Sequence, residues 1–424
     1  MRKDTYHFDN VVSRREFLET TGTMAAGGLI ANISSKIELP KITGKQNSMK
    51  NKKKQLIGEE QSVVLAGVPK GAPNKELMKS VRDVALQATD FSWLKPGDSV
   101  FIKPALNSGN PYPATTNAFG IMAIVELLKE KGAGRVIVSD MSGIEHVKLT
   151  PDKLKRSTRV LMHASGIAQA AMDAGAELHF PEEAGWDAFF EDNPVDDTFW
   201  KAGIMMPNIL QDVDHIICMP RCSRHLLLGS SLGMKSTVGY WRTDSRLEYH
   251  KNASTIQEKT ADANTVRCLR EKQRLVLTTA TQILTTLGPD NGFIAEPETG
   301  LVIASESIVA HDMVSLAWLL KNRQAMSEEE IARARDPYKR QGIVSTLNRV
   351  VVSRLGGIGE SIGAENLIRN DIETIRDDRV LNRAYEVFGG TPDVDLTIVE
   401  ESVPQDLKAK LTGMLARSDS YKLN

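Results

Sequence analysis

From Gln61 onward, short runs rich in β-branched residues alternate with stretches whose apolar positions recur every three or four residues. That alternation marks an α/β domain. Residues 62–68 predict a first strand. Asn74 is placed as the cap of a helix whose Leu77, Val81, Val84 and Ala88 share one face. A turn at Pro96 and Gly97 leads into a short apolar strand, 99–103, ended by Pro104. Asn117 is expected to cap a second helix with Ile121, Ile124, Val125 and Leu128 inward, and Gly132 ends it. Residues 135–140 read as another buried strand.

Further along, residues 163–173 predict a helix stopped near Gly175, 177–180 a strand, and 215–219 an apolar strand. A glycine-punctuated helix is expected to begin near Gly229. Residues 274–284 and 301–305 are strand-like, 310–320 suit a core helix, 327–354 form a charged helical stretch, and 393–399 a terminal strand. The predicted fold class is therefore α/β, a mainly parallel or mixed sheet with helices on both faces. The domain is expected over 58–400, with a helical insertion at about 321–375 and a C-terminal tail at 401–424.

Composition agrees with a large folded body, 41% hydrophobic and 25% charged over 424 residues. The formal charge of −1 hides an asymmetry, because residues 1–57 hold 11 basic and 5 acidic side chains, leaving 42 and 49 for the rest. An acidic body argues against a nucleic-acid surface. Cys218, Cys222 and Cys268 are too few for a disulfide scaffold or for an iron–sulfur cluster held by four cysteines of this chain. Cys218 and Cys222 could pair in an oxidising compartment or remain buried thiols.

The basic start of the chain carries Ser13-Arg14-Arg15-Glu16-Phe17-Leu18, which resembles the twin-arginine export signal. The apolar stretch behind it, 17–33, is too short and too glycine-rich for a good membrane span. Residues 1–33 are therefore read as a signal, and 34–57, with Lys52-Lys53-Lys54, as a basic disordered linker. The resemblance implies the twin-arginine machinery as a partner and an extracytoplasmic location, with cleavage near Ala31 or retention as an anchor.

In open α/β sheets ligands bind where strands end, so polar residues just after the apolar runs are the candidates. Lys103 and Asn107 follow one strand, and Thr116 and Asn117 open the next helix, a combination suited to a carboxylate or phosphate. Asp140 closes another strand and could hold a metal or a ligand hydroxyl. The richest cluster is Arg221, Arg224, His225, Gly229, Gly233 and Lys235, with Arg242, Arg246 and His250 beyond. Its glycine–lysine spacing does not fit a Walker-type nucleotide loop. A concentration of cations and imidazoles in an acidic body favours a small anionic ligand, with Arg224 and Lys235 binding it. His225 and His250 suit proton transfer or metal ligation.

The ordered succession Ile102-Lys103-Pro104, Thr115-Thr116-Asn117, Val136 to Asp140, Met219-Pro220 with Arg224-His225, Gly233-Met234-Lys235 with Gly239, and Val309-Ala310-His311-Asp312 resembles the family catalogued as domain of unknown function 362. The resemblance runs from about Gln61 to Val399. It implies a fold class and a candidate pocket, and no named reaction. Ala105 stands where the family usually has an asparagine, Ser236 follows Lys235, and Asp312 is kept as a second candidate metal ligand beside Asp140.

Three functions follow as alternatives. The first is an exported enzyme for a small anionic substrate, with Lys103, Asn107, Thr116, Asn117, Arg224 and Lys235 binding, and His225, His250 and Asp140 catalytic, with or without a divalent metal. The second is a non-catalytic ligand-binding or accessory protein. The third is a metal-dependent redox protein.

Overall fold

The computed structural model describes residues 57–251, 253–286, 288, 290, 292–333 and 372–416. The expected export signal, the expected basic linker up to residue 56 and most of the expected insertion lie outside them. No helix among the described residues is long and apolar enough to cross a membrane.

Eight strands form the main sheet: β1 (Ile57–Pro69), β2 (Ser99–Pro104), β3 (Arg135–Ser139), β4 (Glu177–His179), β5 (His215–Met219), β6 (Gln273–Ala280), β7 (Thr299–Ser305) and β8 (Thr391–Ile398). Their order is β8-β1-β7-β6-β5-β2-β3-β4. The run from β6 to β4 is parallel. β7 is reversed between β6 and β1, and β8 lies parallel to β1, so the sheet is mixed. From β2 the chain steps outward to β3 and β4, then returns to lay β5 on the other side of β2. The strand order reverses between β2 and β5, which opens a crevice at their carboxyl ends.

The helices that matter below are α1 (Asn74–Ala88), α2 (Ala118–Glu130), α3 (Gly233–Ser236), α4 (Thr243–Lys251), α5 (Ile308–Gln324), α6 (Arg379–Val387) and α7 (Gln405–Leu415). Strand residues alternate between two cores, as a period of two requires. Val64 and Ala66 pack in one with Val81 and Val84 of α1 and Ile121 and Ile124 of α2. Val63 and Leu65 pack in the other with Val314 and Trp318 of α5. The α/β class with helices on both faces is thus the observed one.

Several boundaries differ from the expectation. Pro73 occupies the cap position of α1 with no side-chain bond, and Asn74 is its first helical residue. The helix expected over 163–173 is two, Thr158–Ala164 and Ile167–Asp173, separated at Gly166, whose φ of +83° leaves the helical region. No helix begins at Gly229. Gly229–Ser231 instead pairs with Ser223–His225 as a tight hairpin, His225 opposite Gly229, at the edge of a small four-stranded sheet. The charged stretch is helical over Glu328–Arg333, and residues 334–354 lie outside the described residues. Within the segment expected as a tail, Gln405–Leu415 forms α7, with Leu407 and Leu411 buried in the α5 core.

Candidate functional site

β2 is buried along its whole length, yet its fifth residue is a lysine. Lys103 is 1% exposed, and its Nζ lies 2.9 Å from Asp140 Oδ1 and donates to the Pro104 carbonyl at 2.8 Å. Asp140 follows β3, which runs beside β2 in parallel register, so strand ends bring the two together. Its carboxylate also accepts the N–H groups of Leu106 and Met141, each at 2.8 Å. Burial raises the Asp140 pKa above the ordinary carboxyl range, with Lys103 and Arg246 acting against the rise.

Gly239 backs this pair. A β-carbon there would overlap Asp140 Oδ1 and come within 2.5 Å of Lys103 Nζ. Gly239→Ala is therefore expected to separate the ion pair and destabilise the fold by about 1–3 kcal/mol, the usual range for overpacking, as read from urea unfolding. An unchanged midpoint would show that the loop yields without loss.

Arg221, just beyond β5, is 4% exposed and donates through Nη1 to the Ala114 carbonyl and through Nε to Ser231 Oγ at 3.3 Å. Its Nη2 has no partner among the described residues. Arg246, from α4, donates to the carbonyls of Trp241 (2.8 Å), Met141 (2.6 Å) and Ser142, tying α4 to the loop after β3. Lys235 is half-buried on α3. Asp312 fixes that short helix by accepting the N–H groups of Gly233 and Met234, both at 2.8 Å. Among the described residues, the Lys235 ammonium forms no ion pair or hydrogen bond. Burial pulls its pKa down to about 7, helped by the positive charges of Arg221, Arg246 and Lys103 and opposed by Asp140.

Lys103, Asn107, Asp140, Arg221, Lys235 and Arg246 line one cleft of about 390 Å³, part of it open to solvent, at the carboxyl ends of β2, β3 and β5. Four basic side chains line it with one carboxylate, Asp140, which is already paired with Lys103. Lys235 also lines a second cavity of about 240 Å³ beside Asp312 and Asp378. Asn107 donates through Nδ2 to Asp290 Oδ2 at 2.8 Å, so a second carboxylate stands beside the lining, and its charge acts on Arg221.

The histidines are neutral in this surrounding. His225 Nδ1 accepts the N–H groups of Leu227 (3.2 Å) and Leu228 (3.3 Å), which puts the ring proton on Nε2. Burial holds its pKa well below the ordinary value, and Lys235 and Arg221 add to the shift. His250 Nδ1 lies 2.7 Å from the Arg246 carbonyl, so there the proton sits on Nδ1 and Nε2 keeps its lone pair. Burial lowers its pKa to about 4. Arg246 and His250 share one face of α4, as their spacing predicted.

Other expected residues stand elsewhere. Arg224 is buried opposite Ser230 in the small sheet and is not part of the cleft lining, where Arg221 takes its place. Thr116 is spent on structure, accepting from the Ala105 N–H at 2.8 Å and donating to the Met219 carbonyl at 2.5 Å. Asn117 caps α2 by accepting from Phe119 and Gly120. Both oxygens of Asp140 and of Asp312 are hydrogen-bonded, and among the described residues no three His, Cys, Asp or Glu side chains converge as metal ligands. The three cysteines are free, buried thiols, and Cys218 has its pKa raised by burial to about 12, so it is a poor nucleophile. Sequence reasoning placed Arg221 in the richest cluster but chose Arg224 over it as the anion-binding residue, although Arg221 follows a strand end as directly as Asn107 does.

The fold and this cleft define a doubly wound α/β protein with a cationic crevice at its topological switch point. The chain belongs to the family described as domain of unknown function (DUF362), whose model matches residues 100–317 and so takes in every residue of the cleft. No curated protein matches the chain. Among solved structures, a Thermotoga maritima protein determined as a structural-genomics target is similar at 14% identity and a TM-score of 0.34. The likeness covers 51% of this chain and 53% of that one, so the chain spans about half of that protein's length.

Proposed function

We propose that the cleft binds a small anionic ligand and that the protein is an exported enzyme acting on it. The observation that carries this reading is the Lys235 ammonium, without a hydrogen-bond or ion-pair partner among the described residues, in a cleft lined by four basic side chains and the Lys103-paired Asp140. A cation held in that surrounding is costly unless an anion completes it. Arg221 Nη2, equally without a described partner, adds a donor suited to a carboxylate or phosphate oxygen. His225, with its proton on Nε2, and His250, with a lone pair on Nε2, supply an acid and a base of opposite tautomer close to Lys235.

Thermal melts with phosphate, sulfate, oxalate and pyruvate test the binding. At least one anion is expected to raise the melting temperature in proportion to the logarithm of its concentration. No shift with any of them, at concentrations that leave lysozyme-like controls unmoved, would count against the site. Binding without turnover of any offered substrate would favour the accessory-protein reading.

Export belongs to the same proposal and rests on Arg14-Arg15. Replacing both with Lys should leave the chain in the cytoplasm when expressed with the twin-arginine machinery. Normal export of that variant would remove the reading.

A further inference from the structure

We propose that Lys235 is a Schiff-base lysine, forming an imine with a small carboxylate that carries a carbonyl group, a 2-oxo acid or an aldehyde acid. The proposal rests on the anion-binding reading above and names its substrate class.

The geometry supplies both halves of such a ligand's recognition. Arg221 is almost wholly buried, is fixed through Nε and Nη1, and leaves Nη2 without a described partner in the cleft. That is a rigid donor for a carboxylate oxygen. Lys235 lines the same cleft and has no hydrogen-bond acceptor or carboxylate to hold its amine, so nothing among the described residues competes with an incoming carbonyl. Asp312 locks the turn that carries it, which limits where the amine can reach.

Imine formation needs the neutral amine as nucleophile. Burial among Arg221, Arg246 and Lys103 brings the Lys235 pKa to about 7, so a large fraction is uncharged at neutral pH. The amine nitrogen attacks the carbonyl carbon and forms the C–N bond. The carbonyl π pair moves to oxygen, one N–H proton is transferred through solvent to that oxygen to give the carbinolamine, and the second N–H proton follows as the C–O bond breaks, so that water departs and the C=N bond forms. No oxidant or reductant is consumed.

The test uses the full chain with pyruvate or glyoxylate and cyanoborohydride, which reduces an imine to a stable secondary amine. Intact-mass and peptide mass spectrometry should find one adduct, at Lys235, forming at least about tenfold faster than at exposed lysines and faster as pH rises through about 7, where the amine deprotonates. Phosphate should slow it by competition. Lys235→Arg keeps the charge, so it should bind pyruvate in calorimetry and give no preferred adduct. Adducts spread evenly over surface lysines would overturn the proposal. Calorimetric binding of pyruvate with no adduct at Lys235 would overturn the imine while leaving the anion site standing. Neither binding nor adduct would remove both.

Discussion

Lys103→Met is expected to lower the unfolding free energy by about 3–5 kcal/mol, the usual cost of leaving one partner of a buried ion pair alone. Lys103 and Asp140 are 1% and 4% exposed, with 2.9 Å between Nζ and Oδ1, so little water can replace the lost charge. Methionine fills most of the volume, which keeps the cavity contribution small. The sign of the pH dependence follows from Asp140. Its folded pKa is already raised by burial and rises further without Lys103. A carboxyl with a raised folded pKa favours folding where it is protonated, and that contribution is lost as pH climbs from the unfolded to the folded value. The deficit of Lys103→Met should therefore shrink toward about pH 4 and grow as pH rises from there. Adding Asp140→Asn should recover part of it, because no uncompensated charge remains. A loss under about 1 kcal/mol at neutral pH would class the pair with ordinary surface bridges.

Lys235→Met should do the opposite: little harm to stability and a fall in anion affinity of about ten- to a hundredfold, the size of one charge-assisted contact of roughly 1.5–3 kcal/mol. The contrast between two lysines of one cleft is informative because Lys103 has a carboxylate partner and Lys235 has none among the described residues. For Lys235 the folded pKa is about 7 against an ordinary 10.5. Between those values the unfolded chain holds a proton that the folded chain has lost, so stability rises with pH across that window. Below about pH 7 both states are protonated and the burial penalty is complete. Lys235→Met should flatten this rise, and urea midpoints measured on both proteins across the window check it. A melting collapse in Lys235→Met would mean that the lysine is structural.

Much of the frame was readable from the chain because burial on both faces leaves an unmistakable mark. β2, β3 and β5 are continuous apolar runs, and α1 and α2 show a one-sided stripe. What could not be read depends on pairings distant in sequence. The second strand of the hairpin, 229–231, was expected as the start of a helix because its glycine and serines carry no strand signal, and only the register His225 opposite Gly229 reveals it. The switch point between β2 and β5 is a property of strand order, which no local pattern encodes.

The site was half legible. Lys103, Asn107, Asp140 and Lys235 follow strand ends or a helix start and do meet in the cleft. Thr116 and Asn117 satisfied the same rule but are consumed by the loop and cap they build. Arg224 stood in the same cluster as His225 and Lys235, but in the hairpin it lies opposite Ser230 and outside the cleft lining, which Ser231 of the same hairpin joins. Arg246 was noticed for its spacing to His250, while its grip on the loop after β3 became visible only in three dimensions.

Calorimetric titration of the full chain with inorganic phosphate at about pH 8, in two buffers of different ionisation enthalpy, tests the central claim most directly. An anion bound against Lys235 must raise its pKa from about 7, so binding should take up a proton and the apparent enthalpy should differ between buffers. Lys235→Met should abolish that difference and weaken binding. Phosphate binding with equal enthalpies in both buffers, unchanged in Lys235→Met, would contradict the account.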